Sequence, residues 1–572
     1  MTTSRSALQK LKMLVWPPRP DPAKSRRIAE VRLAVASLFA MAVFVAIAGR
    51  IFMLAMDEDN RTNRVAANTP DVERGRILDR DGQLLAVNLP ITVMHADPSE
   101  IMDVTEAARL LAPHIRRYDE ASLQKLLRKK TRYVELDRKV TPARHAEILQ
   151  LGIPGVYFSD GNLRAYPRGN AAAHILGYVD PDNNGLAGVE KSMDAILATG
   201  QDVTLSIDAG IQNIVATEIA KQINEFEAIG GAGVMLDALT GEIMALVSLP
   251  DYNPNHYGVA IDDAKFNRAT KGLYEMGSTF KVLNTAISLE TGLTNARTRY
   301  EVAKPIRVGG HSIRDYHPYK RPLNVAEILI YSSNIGSAHM ADQIGPEVQR
   351  AYLDKLGLLD RLPLELPEIA HPLVPRRWKR TETMTVSYGH GISISPAHLA
   401  SAVGAASANG FWIAPTLLRR DPQADLVKHR VFSDETARAV RSMMRMVVAH
   451  VDGTGNFAEA KGYMVGGKTG TAEKVVVGGY DENLNLATFV ATFPVHEPRY
   501  VTVIMIDAPQ GQKQSYGYAT GGWVAAPAVR RIVEQAAPLL NILPVDENSP
   551  EIRQKLDLNF TIGNEEATLV SF

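Results

Sequence analysis

The sequence predicts an α+β protein with a single N-terminal transmembrane helix, a β-rich module, and a larger domain whose antiparallel sheet is covered by helices. Three observations predict this. An uncharged apolar run lies near the N-terminus, short strand-like runs with turn signals continue to about residue 202, and strands then enclose a long helical stretch from both ends. Strands gathered in this way typically pair antiparallel beneath helices. The predicted segments are 1–32 (basic tail), 33–56 (transmembrane helix), 57–202 (β-rich module), 203–545 (larger domain) and 546–572 (C-terminal tail).

Composition narrows the class of protein. The 572 residues are 22% charged and 45% hydrophobic, as in globular chains. With 63 basic and 63 acidic residues, the chain has no net charge that would attract nucleic acid. It contains no cysteine, which excludes a disulfide framework, a thiolate metal site and cysteine nucleophilic catalysis.

The first element is the apolar run. Residues 33–49 carry no charge, and after Arg50 the apolar character continues to residue 56. About twenty helical residues span the hydrocarbon core of a bilayer. Eight Lys and Arg lie within residues 1–32, whereas Asp57, Glu58 and Asp59 follow the run, so we expect a cytoplasmic N-terminus with the rest of the chain outside.

Two other interpretations of this run exist. A buried core helix is disfavoured because no polar face interrupts the run. A cleaved signal peptide would use Ala46-Ile47-Ala48, but the basic lead-in is long for one and the apolar run continues past this site. An uncleaved single-pass anchor is therefore favoured.

The β-rich module shows no catalytic pattern. Asp81-Gly82, between the apolar pairs Ile77-Leu78 and Leu84-Leu85, predicts a hairpin. A basic stretch from about 106 to 150 reads as helical. The module is expected to be structural or to mediate interactions.

The larger domain begins with a strand and a helix, followed by a hairpin that turns at residues 239–241. Helical segments dominate residues 278–450. Three late strands are predicted within 462–477, 485–495 and 499–509, and a final helix at about 524–541.

The stretch EMGSTFK contains Ser278 three residues before Lys281. Serine is a common helix N-cap, so this pattern alone does not indicate catalysis. Two further patterns follow in the same domain, Ser332-Ser333-Asn334 and Lys468-Thr469-Gly470-Thr471. Each is ordinary alone, but S-x-x-K, S-x-N and K-T-G in this order mark penicillin-binding proteins and class A β-lactamases.

The chain resembles the class B penicillin-binding proteins, monofunctional peptidoglycan DD-transpeptidases, from the anchor to about residue 535. The motifs that carry the resemblance are RGRILDRDG (74–82), RAYPRG (164–169), GLAGVE (185–190), SLPDYNPN (248–255), SYGHGISISP (387–396) and GGWVAAP (521–527). The resemblance implies a penicillin-binding, serine β-lactamase-like transpeptidase domain carried on an elongated, non-catalytic pedestal. SSN in the second motif is similar to the division-specific FtsI branch. One departure is Met276, where the family usually has proline.

The residue types fit this chemistry. Ser278 and Lys281 share one helical face, so a neutral Lys281 can take the serine proton. Lowering its pKa to about 7 requires roughly 4–5 kcal/mol, which burial and the charge of Lys468 would supply. Ser332 would relay a proton to the leaving group, and Asn334 would bond the substrate amide.

The strand KTGT would bind the substrate peptide by β-augmentation. Lys468, with the Thr469 and Thr471 hydroxyls, would hold the terminal carboxylate, and Gly470 completes this substrate-binding motif. The backbone N–H groups of Ser278 and Thr471 would form the oxyanion hole.

The resemblance implies a D-Ala-D-Ala stem peptide as donor, an amine on a neighbouring strand as acceptor, and β-lactams as covalent inhibitors. No metal or organic cofactor is expected. A SEDS-family, FtsW-like glycosyltransferase and other divisome membrane proteins are the expected partners, at the septal inner membrane with the catalytic domain in the periplasm. The alternatives are an elongation-type class B enzyme, a membrane-anchored β-lactamase, a β-lactam sensor and an inactive scaffold.

Overall fold

The structure is a computed structural model that describes residues 22–56, 73–423, 425–476, 479–556, 561–563 and 565–566. It divides into two units, Met1–Val72 and Glu73–Phe572. In the first unit, helix α1 (Pro22–Met56) contains the window Leu33–Arg50, with a mean hydropathy of 2.1. Among the described residues this is the one helix long and apolar enough to cross a membrane. The predicted tail up to residue 21 and the acidic residues 57–59 lie outside the described residues.

The second unit begins with a five-stranded sheet covered by three helices. Its strands are β1 (Ile77–Leu78), β2 (Leu84–Ala96), β3 (Val134–Val140), β4 (Val156–Ala165) and β5 (Val203–Thr204), in the order β3-β2-β1-β5 with β4 also paired to β2. The helices are α2 (Val104–Leu111), α3 (Glu120–Leu127) and α4 (Pro142–Gln150). Their apolar faces pack on one side of β2 and β3.

The predicted hairpin at Asp81-Gly82 is confirmed. β1 pairs antiparallel with β2, and Gly82 adopts a φ of 81° in the turn. The carboxylate of Asp79 accepts hydrogen bonds from the backbone N–H groups of Asp81 (2.9 Å) and Gln83 (2.8 Å), which fixes the turn.

The expectation that residues 106–150 are helical is wrong in the middle of that stretch. Val134–Val140, with the sequence VELDRKV, forms strand β3. Val134, Leu136 and Val140 are buried, whereas the charged residues between them are less so. The stretch is an amphipathic strand with period two, and its charge made it resemble the basic helices on either side.

Three sequence motifs of this part meet at one buried carboxylate. Glu190, which is fully buried in the short helix Gly188–Ser192, accepts from Arg74 Nε (2.8 Å) and Arg164 Nε (2.6 Å). The Tyr166 hydroxyl also contacts it, at 3.3 Å. Because Arg74, Arg164 and Glu190 come from RGRILDRDG, RAYPRG and GLAGVE, these motifs together build one ion cluster. The short helices here are α5 (Ala173–Leu176), α6 (Gly188–Ser192) and α7 (Asp194–Leu197).

The rest of the second unit contains the remaining elements. Its strands are β6 (Gly230–Asp237), β7 (Ile243–Leu249), β8 (Arg299–Tyr300), β9 (Ile306–Val308), β10 (His311–Ile313), β11 (Leu323–Asn324), β12 (Phe411–Ile413), β13 (Lys428–Arg430), β14 (Gly466–Val476), β15 (Gly479–Phe493) and β16 (Tyr500–Asp507). Its helices are α8 (Ala209–Glu225), α9 (Asp262–Lys265), α10 (Phe280–Glu290), α11 (Val325–Ile330), α12 (Asn334–Ile344), α13 (Pro346–Lys355), α14 (Arg380–Val386), α15 (Pro396–Ser407), α16 (Asp434–Ala449) and α17 (Gly521–Leu539).

The antiparallel sheet predicted for this part is confirmed. Its strands run in the order β14-β15-β16-β6-β7, with β14 at one edge. Helices α8 and α17 pack on one face, and α15 and α16 on the other. In β16, Val503 and Met505 join one buried cluster and Ile504 joins the other, so the strand is apolar on both sides.

The C-terminal tail also packs on this unit. It contains helix α18 (Pro550–Lys555), β17 (Thr561–Ile562) and β18 (Glu565–Glu566). Ile552, Leu556 and Ile562 are 6%, 4% and 8% exposed and belong to the main hydrophobic cluster. Residues 567–572 lie outside the described residues.

The two parts of the second unit are joined by hydrogen bonds as well as by packing. The Asn255 side chain accepts from the Tyr166 N–H and donates to the Tyr166 carbonyl, both at 3.0 Å. Asn255 ends the SLPDYNPN motif, and Tyr166 lies in RAYPRG. These two motifs therefore form a direct contact between the segment that follows β4 and the segment that follows β7.

Candidate active site

Ser278 lies on a 3₁₀ turn, Gly277–Thr279, that leads into helix α10. The Thr279 hydroxyl donates to the Met276 carbonyl at 2.8 Å and closes the turn. Ser278 is half-buried, whereas Lys281, one turn later, is fully buried. Lys281 Nζ lies 2.7 Å from Ser278 Oγ, so the predicted pairing of these two side chains is present in the structure.

Met276 is the departure from the resembled family that the sequence shows at the serine motif. Its φ is −82° and its side chain is buried. That φ is close to the range that a proline ring imposes, so the helix entry has similar backbone geometry without the ring.

Ser332 and Asn334 approach Lys281 from a break between two helices. Helix α11 ends at Ile330, where the N–H of Tyr331 donates to the Glu327 carbonyl (2.8 Å) and the N–H of Ser333 to the Ile328 carbonyl (3.0 Å). Between these bonds Ser332 adopts a φ of 63°, which is uncommon for a residue other than glycine. The Ser333 hydroxyl then caps helix α12 by accepting from Gly336 N–H.

This break places three oxygen atoms around the Lys281 amine. Nζ donates to Asn334 Oδ1 at 2.7 Å, to the Ser332 carbonyl at 3.0 Å and to Ser332 Oγ at 3.2 Å. The Asn334 amide nitrogen donates to the Arg314 carbonyl at 3.0 Å. Asn334 therefore orients Lys281 in this structure, in addition to the substrate contact predicted for it.

Lys468 enters from the edge strand β14 and is fully buried. Its Nζ donates to Ser332 Oγ at 3.0 Å, and to the carbonyl and hydroxyl of Thr469 at 3.2 Å each. The Ser332 hydroxyl thus lies between the two lysines. Hydrogen bonds connect Ser278, Lys281, Ser332, Asn334 and Lys468 in one continuous group.

The two threonines of the strand motif differ in environment. Thr469 is nearly buried, and its hydroxyl donates to Thr454 Oγ1 at 3.0 Å. Thr471 is exposed, and its hydroxyl accepts from Gly521 N–H at 3.1 Å. Thr469 lies beside Lys468, whereas Thr471 lies further along the strand at the start of helix α17.

Gly470 allows the strand to approach the serine turn. A Cβ at this position would lie 2.6 Å from the Met276 carbonyl oxygen and 2.9 Å from Thr279 Cγ2. Both atoms belong to the turn that carries Ser278. Any side chain larger than hydrogen would therefore separate strand β14 from the serine.

Burial dominates the electrostatics of the two lysines. It lowers the pKa of Lys281 to about 7, partly opposed by the negative charge of Asp315. Burial also lowers the pKa of Lys468, and the positive charge of Lys281 lowers it further. The sequence-based expectation that the charge of Lys468 helps to lower the pKa of Lys281 is not met, since burial and Asp315 are the influences on that pKa. The repulsion between the two amines lowers the pKa of Lys468 instead.

Two groups at the site carried no pattern in the sequence. The Asp315 carboxylate accepts from the Ser333 hydroxyl (2.7 Å) and from Ile335 N–H (2.9 Å), so it fixes the start of α12. Asn284 on α10 donates to the carbonyl (3.1 Å) and hydroxyl (3.0 Å) of Ser337 on α12. This second bridge lies one helical turn beyond the Lys281–Asn334 contact and joins the same two helices.

Family comparison agrees with this geometry. Residues 231–534 match the model of the penicillin binding protein transpeptidase domain, and residues 69–218 match that of the penicillin-binding protein dimerisation domain. The chain belongs to the penicillin-binding protein family. The resemblance inferred from the sequence motifs is thereby confirmed.

Curated relatives support the same family. A protein of Caulobacter vibrioides named "Probable peptidoglycan D,D-transpeptidase FtsI" is 38% identical over 482 residues, which cover 82% of each chain. "Peptidoglycan D,D-transpeptidase FtsI" of Escherichia coli K12 is 30% identical over 527 residues, covering 86% of this chain and 87% of that one.

A solved penicillin-binding protein shares the fold. The crystal structure of penicillin binding protein 3 from Mycobacterium tuberculosis, complexed with aztreonam, matches with a TM-score of 0.67 at 25% identity. The match covers 83% of this chain and 98% of that one. The predicted fold class, a pedestal domain followed by a transpeptidase domain with an antiparallel sheet, is confirmed.

Proposed function

We propose that this chain is a peptidoglycan D,D-transpeptidase that acts through a serine acyl-enzyme, with Ser278 as the nucleophile. The observation that carries the proposal is the 2.7 Å contact between Ser278 Oγ and the buried amine of Lys281. The family and the names of the relatives support the reaction class.

The acylation step begins at Ser278. A neutral Lys281 accepts the hydroxyl proton while Oγ attacks the carbonyl carbon of the penultimate D-Ala. The backbone N–H groups of Ser278 and Thr471 are the proposed donors to the oxyanion. As the C–N bond breaks, the Ser332 hydroxyl, 3.2 Å from Lys281 and 3.0 Å from Lys468, donates its proton to the departing D-Ala amine and is reprotonated by Lys281, which thereby becomes neutral again.

The second step reverses this proton path. The acceptor amine attacks the acyl carbon and gives a proton to Ser332, whose own proton passes to Lys281. Lys281 then protonates Ser278 Oγ as the acyl C–O bond breaks, which restores the free serine. The new amide joins two stem peptides. Lys468 and the adjacent Thr469 hydroxyl, with Thr471 further along the edge strand, are the proposed anchors of the donor carboxylate. Edge strand β14 offers its backbone to the donor peptide, and Gly470 keeps this strand in contact with the serine turn.

β-Lactams would follow the same first step and remain on Ser278. Incubation with a synthetic peptide ending in D-Ala-D-Ala and an added amine should release D-Ala and form the amide product. Sustained hydrolysis of nitrocefin with many turnovers would instead assign the chain to the β-lactamases.

The proposed cellular role is septal wall synthesis at the inner membrane. The SSN sequence at 332–334 and the FtsI names of the relatives support this branch. Helix α1 is the proposed anchor, with a cytoplasmic N-terminus and the second unit in the periplasm. The proposed partners are an FtsW-like SEDS glycosyltransferase along residues 33–56 and other divisome membrane proteins on the pedestal domain.

Depletion of the protein tests this role. Long filaments with intact side walls are expected. Exchange of residues 33–56 for an unrelated span should impair division while penicillin binding is retained. Rounded, non-filamenting cells on depletion would place the protein in the elongation branch.

A further inference from the structure

The C-terminal tail contacts two elements that carry active-site residues. Residues 546–572 are polar and end in ATLVSF, and the sequence predicts no role for them. In the structure, Ile552, Leu556 and Ile562 are buried in the main core of the transpeptidase domain. The tail is thus part of the folded domain, and its polar contacts can be followed to the site.

The first contact is with Arg445 on helix α16. The Arg445 side chain is 2% exposed, and its Nη2 donates to both carboxylate oxygens of Glu547 at 2.7 Å. Its Nη1 donates to Glu459 Oε2 at 2.6 Å and to the Val465 carbonyl at 2.8 Å. Val465 immediately precedes strand β14, so Glu547 holds the side chain that fixes the start of the strand carrying Lys468.

The second contact is with Glu327 on helix α11. The Gly563 N–H donates to Oε1 of this fully buried carboxylate at 2.7 Å, and Arg321 Nη2 contacts the same oxygen at 2.8 Å. The other carboxylate oxygen caps the helix by accepting from Asn324 N–H. The carbonyl of Glu327 accepts from Tyr331 N–H, the residue before Ser332. Gly563 therefore supports the helix whose end sets the unusual backbone of Ser332.

The two supported elements meet inside the site. Lys468 Nζ, from the strand, and Ser332 Oγ, from the helix end, lie 3.0 Å apart. We infer that the tail clamps strand β14 and helix α11 together, with Glu547 and Gly563 as positioning residues that hold Lys468 against Ser332. The inference rests on the proposed function, because it assigns the tail an effect on acylation.

Small displacements at such a contact affect rate strongly. A misplacement of about 1 Å at a reacting group can reduce a rate by roughly 100-fold. Without the tail contacts, Arg445 would still pair with Glu459, and Glu327 would still pair with Arg321. Loss of one tail contact should therefore loosen the position of strand β14 or helix α11 without unfolding it. We expect each loss to slow acylation about threefold, and both together about tenfold.

The test uses the full chain in detergent and a fluorescent penicillin. Three variants are compared with the unmodified protein: Glu547→Gln, a chain ending at Leu556, and the two combined. Lys555→Ala is the matched control, since this residue lies in the same tail but pairs with the exposed carboxylates of Glu497 and Glu551. The readouts are the limiting acylation rate constant at saturating penicillin and the fraction of molecules labelled at completion.

If the tail positions Lys468 and Ser332, the three variants should have a lower limiting acylation rate constant, but all of their molecules should still be labelled at completion. In Lys555→Ala, both the rate constant and the labelled fraction should be unchanged. A merely structural role would lower the labelled fraction and leave the rate constant of the labelled molecules unchanged, which would overturn the inference. If the shortened chain does not fold, the acylation rate constant of Glu547→Gln alone decides whether the inference holds. Labelling of a Ser278→Ala variant would refute the proposed function itself, whereas unchanged rates in the tail variants refute only the clamp.

Discussion

At the scale of single residues, the site depends on a lysine amine held away from water. Lys281 is fully buried, and its nearest partners are the neutral oxygens of Ser278, Ser332 and Asn334. Such partners stabilise a protonated amine less than a carboxylate would. Burial therefore controls its pKa, and the single opposing influence is the more distant Asp315.

A pH dependence of acylation follows from this environment. The base must be neutral, and the pKa of Lys281 is lowered to about 7. Below that pH the amine is protonated, so the acylation rate constant should fall about tenfold per pH unit; above it the rate should level off. Stopped-flow labelling with penicillin between about pH 5 and pH 9 measures this.

Arginine substitutions at Lys281 and Lys468 test which of the two lysines is the base. Lys281→Arg should lose acylation at every pH, because a guanidinium does not deprotonate in proteins. Lys468→Arg keeps a cation near the proposed carboxylate anchor and should retain partial acylation. Equal and complete loss in both variants would mean that base and anchor have been assigned to the wrong lysines.

Residues at the site differ in how far sequence could predict them. Ser278 and Lys281 lie within one helical turn, so their contact follows from spacing alone. Asp315 and Asn284 act on partners 18 and 53 residues away, through contacts that the tertiary fold creates. No local pattern marks such residues, and the structure was needed to find them.

At the scale of elements, strand β14 can contact the turn that carries Ser278 because residue 470 is a glycine. Gly470→Ala would introduce a Cβ 2.6 Å from the Met276 carbonyl. The strand or the turn must then move, and we expect the acylation rate to fall at least tenfold, with a loss of stability of about 1–3 kcal/mol.

Gly258→Ala is the control for this prediction, because a Cβ there meets nothing within 4 Å. Acylation kinetics and thermal unfolding of both variants measure the effect. Wild-type acylation in Gly470→Ala would show that the close approach of strand and turn has no part in the reaction.

Strands and turns could be predicted from the sequence where the apolar pattern or the turn residues gave one clear signal. The long apolar strands β6 and β16 and the hairpin at Asp81-Gly82 were predicted because pattern and turn chemistry agree. Strand β3 was missed because only one of its faces is buried, and its other face carries the charges expected of a surface helix. The tail was missed because its contacts are made by isolated residues.

At the scale of the whole molecule, the three pedestal motifs RGRILDRDG, RAYPRG and GLAGVE supply the charged residues of one buried ion cluster. Glu190 is fully buried between Arg74 and Arg164, whose side chains are 4% and 1% exposed. Loss of the Glu190 charge leaves buried Arg164 without the carboxylate it pairs with, whereas Arg74 keeps its ion pair with Asp194. Glu190→Gln should therefore destabilise the protein by about 3–5 kcal/mol, measured by denaturant unfolding.

Arg76→Ala is the matched control, since Arg76 pairs with Asp202 at the surface, and little change is expected. Because Asn255 links Tyr166 of this region to the transpeptidase domain, the Glu190 variant should also unfold that domain at lower denaturant. Unchanged unfolding in Glu190→Gln would contradict a structural role for the cluster.

The central claim is that Ser278 forms the acyl-enzyme, and mass spectrometry of the penicillin-treated protein tests it most directly. We expect one adduct per chain, located on the peptide that contains Ser278, and no adduct in Ser278→Ala. Loss of this hydroxyl should cost about 1 kcal/mol of stability or less, so the variant should remain folded. An adduct on any other residue, or labelling of Ser278→Ala, would contradict the account.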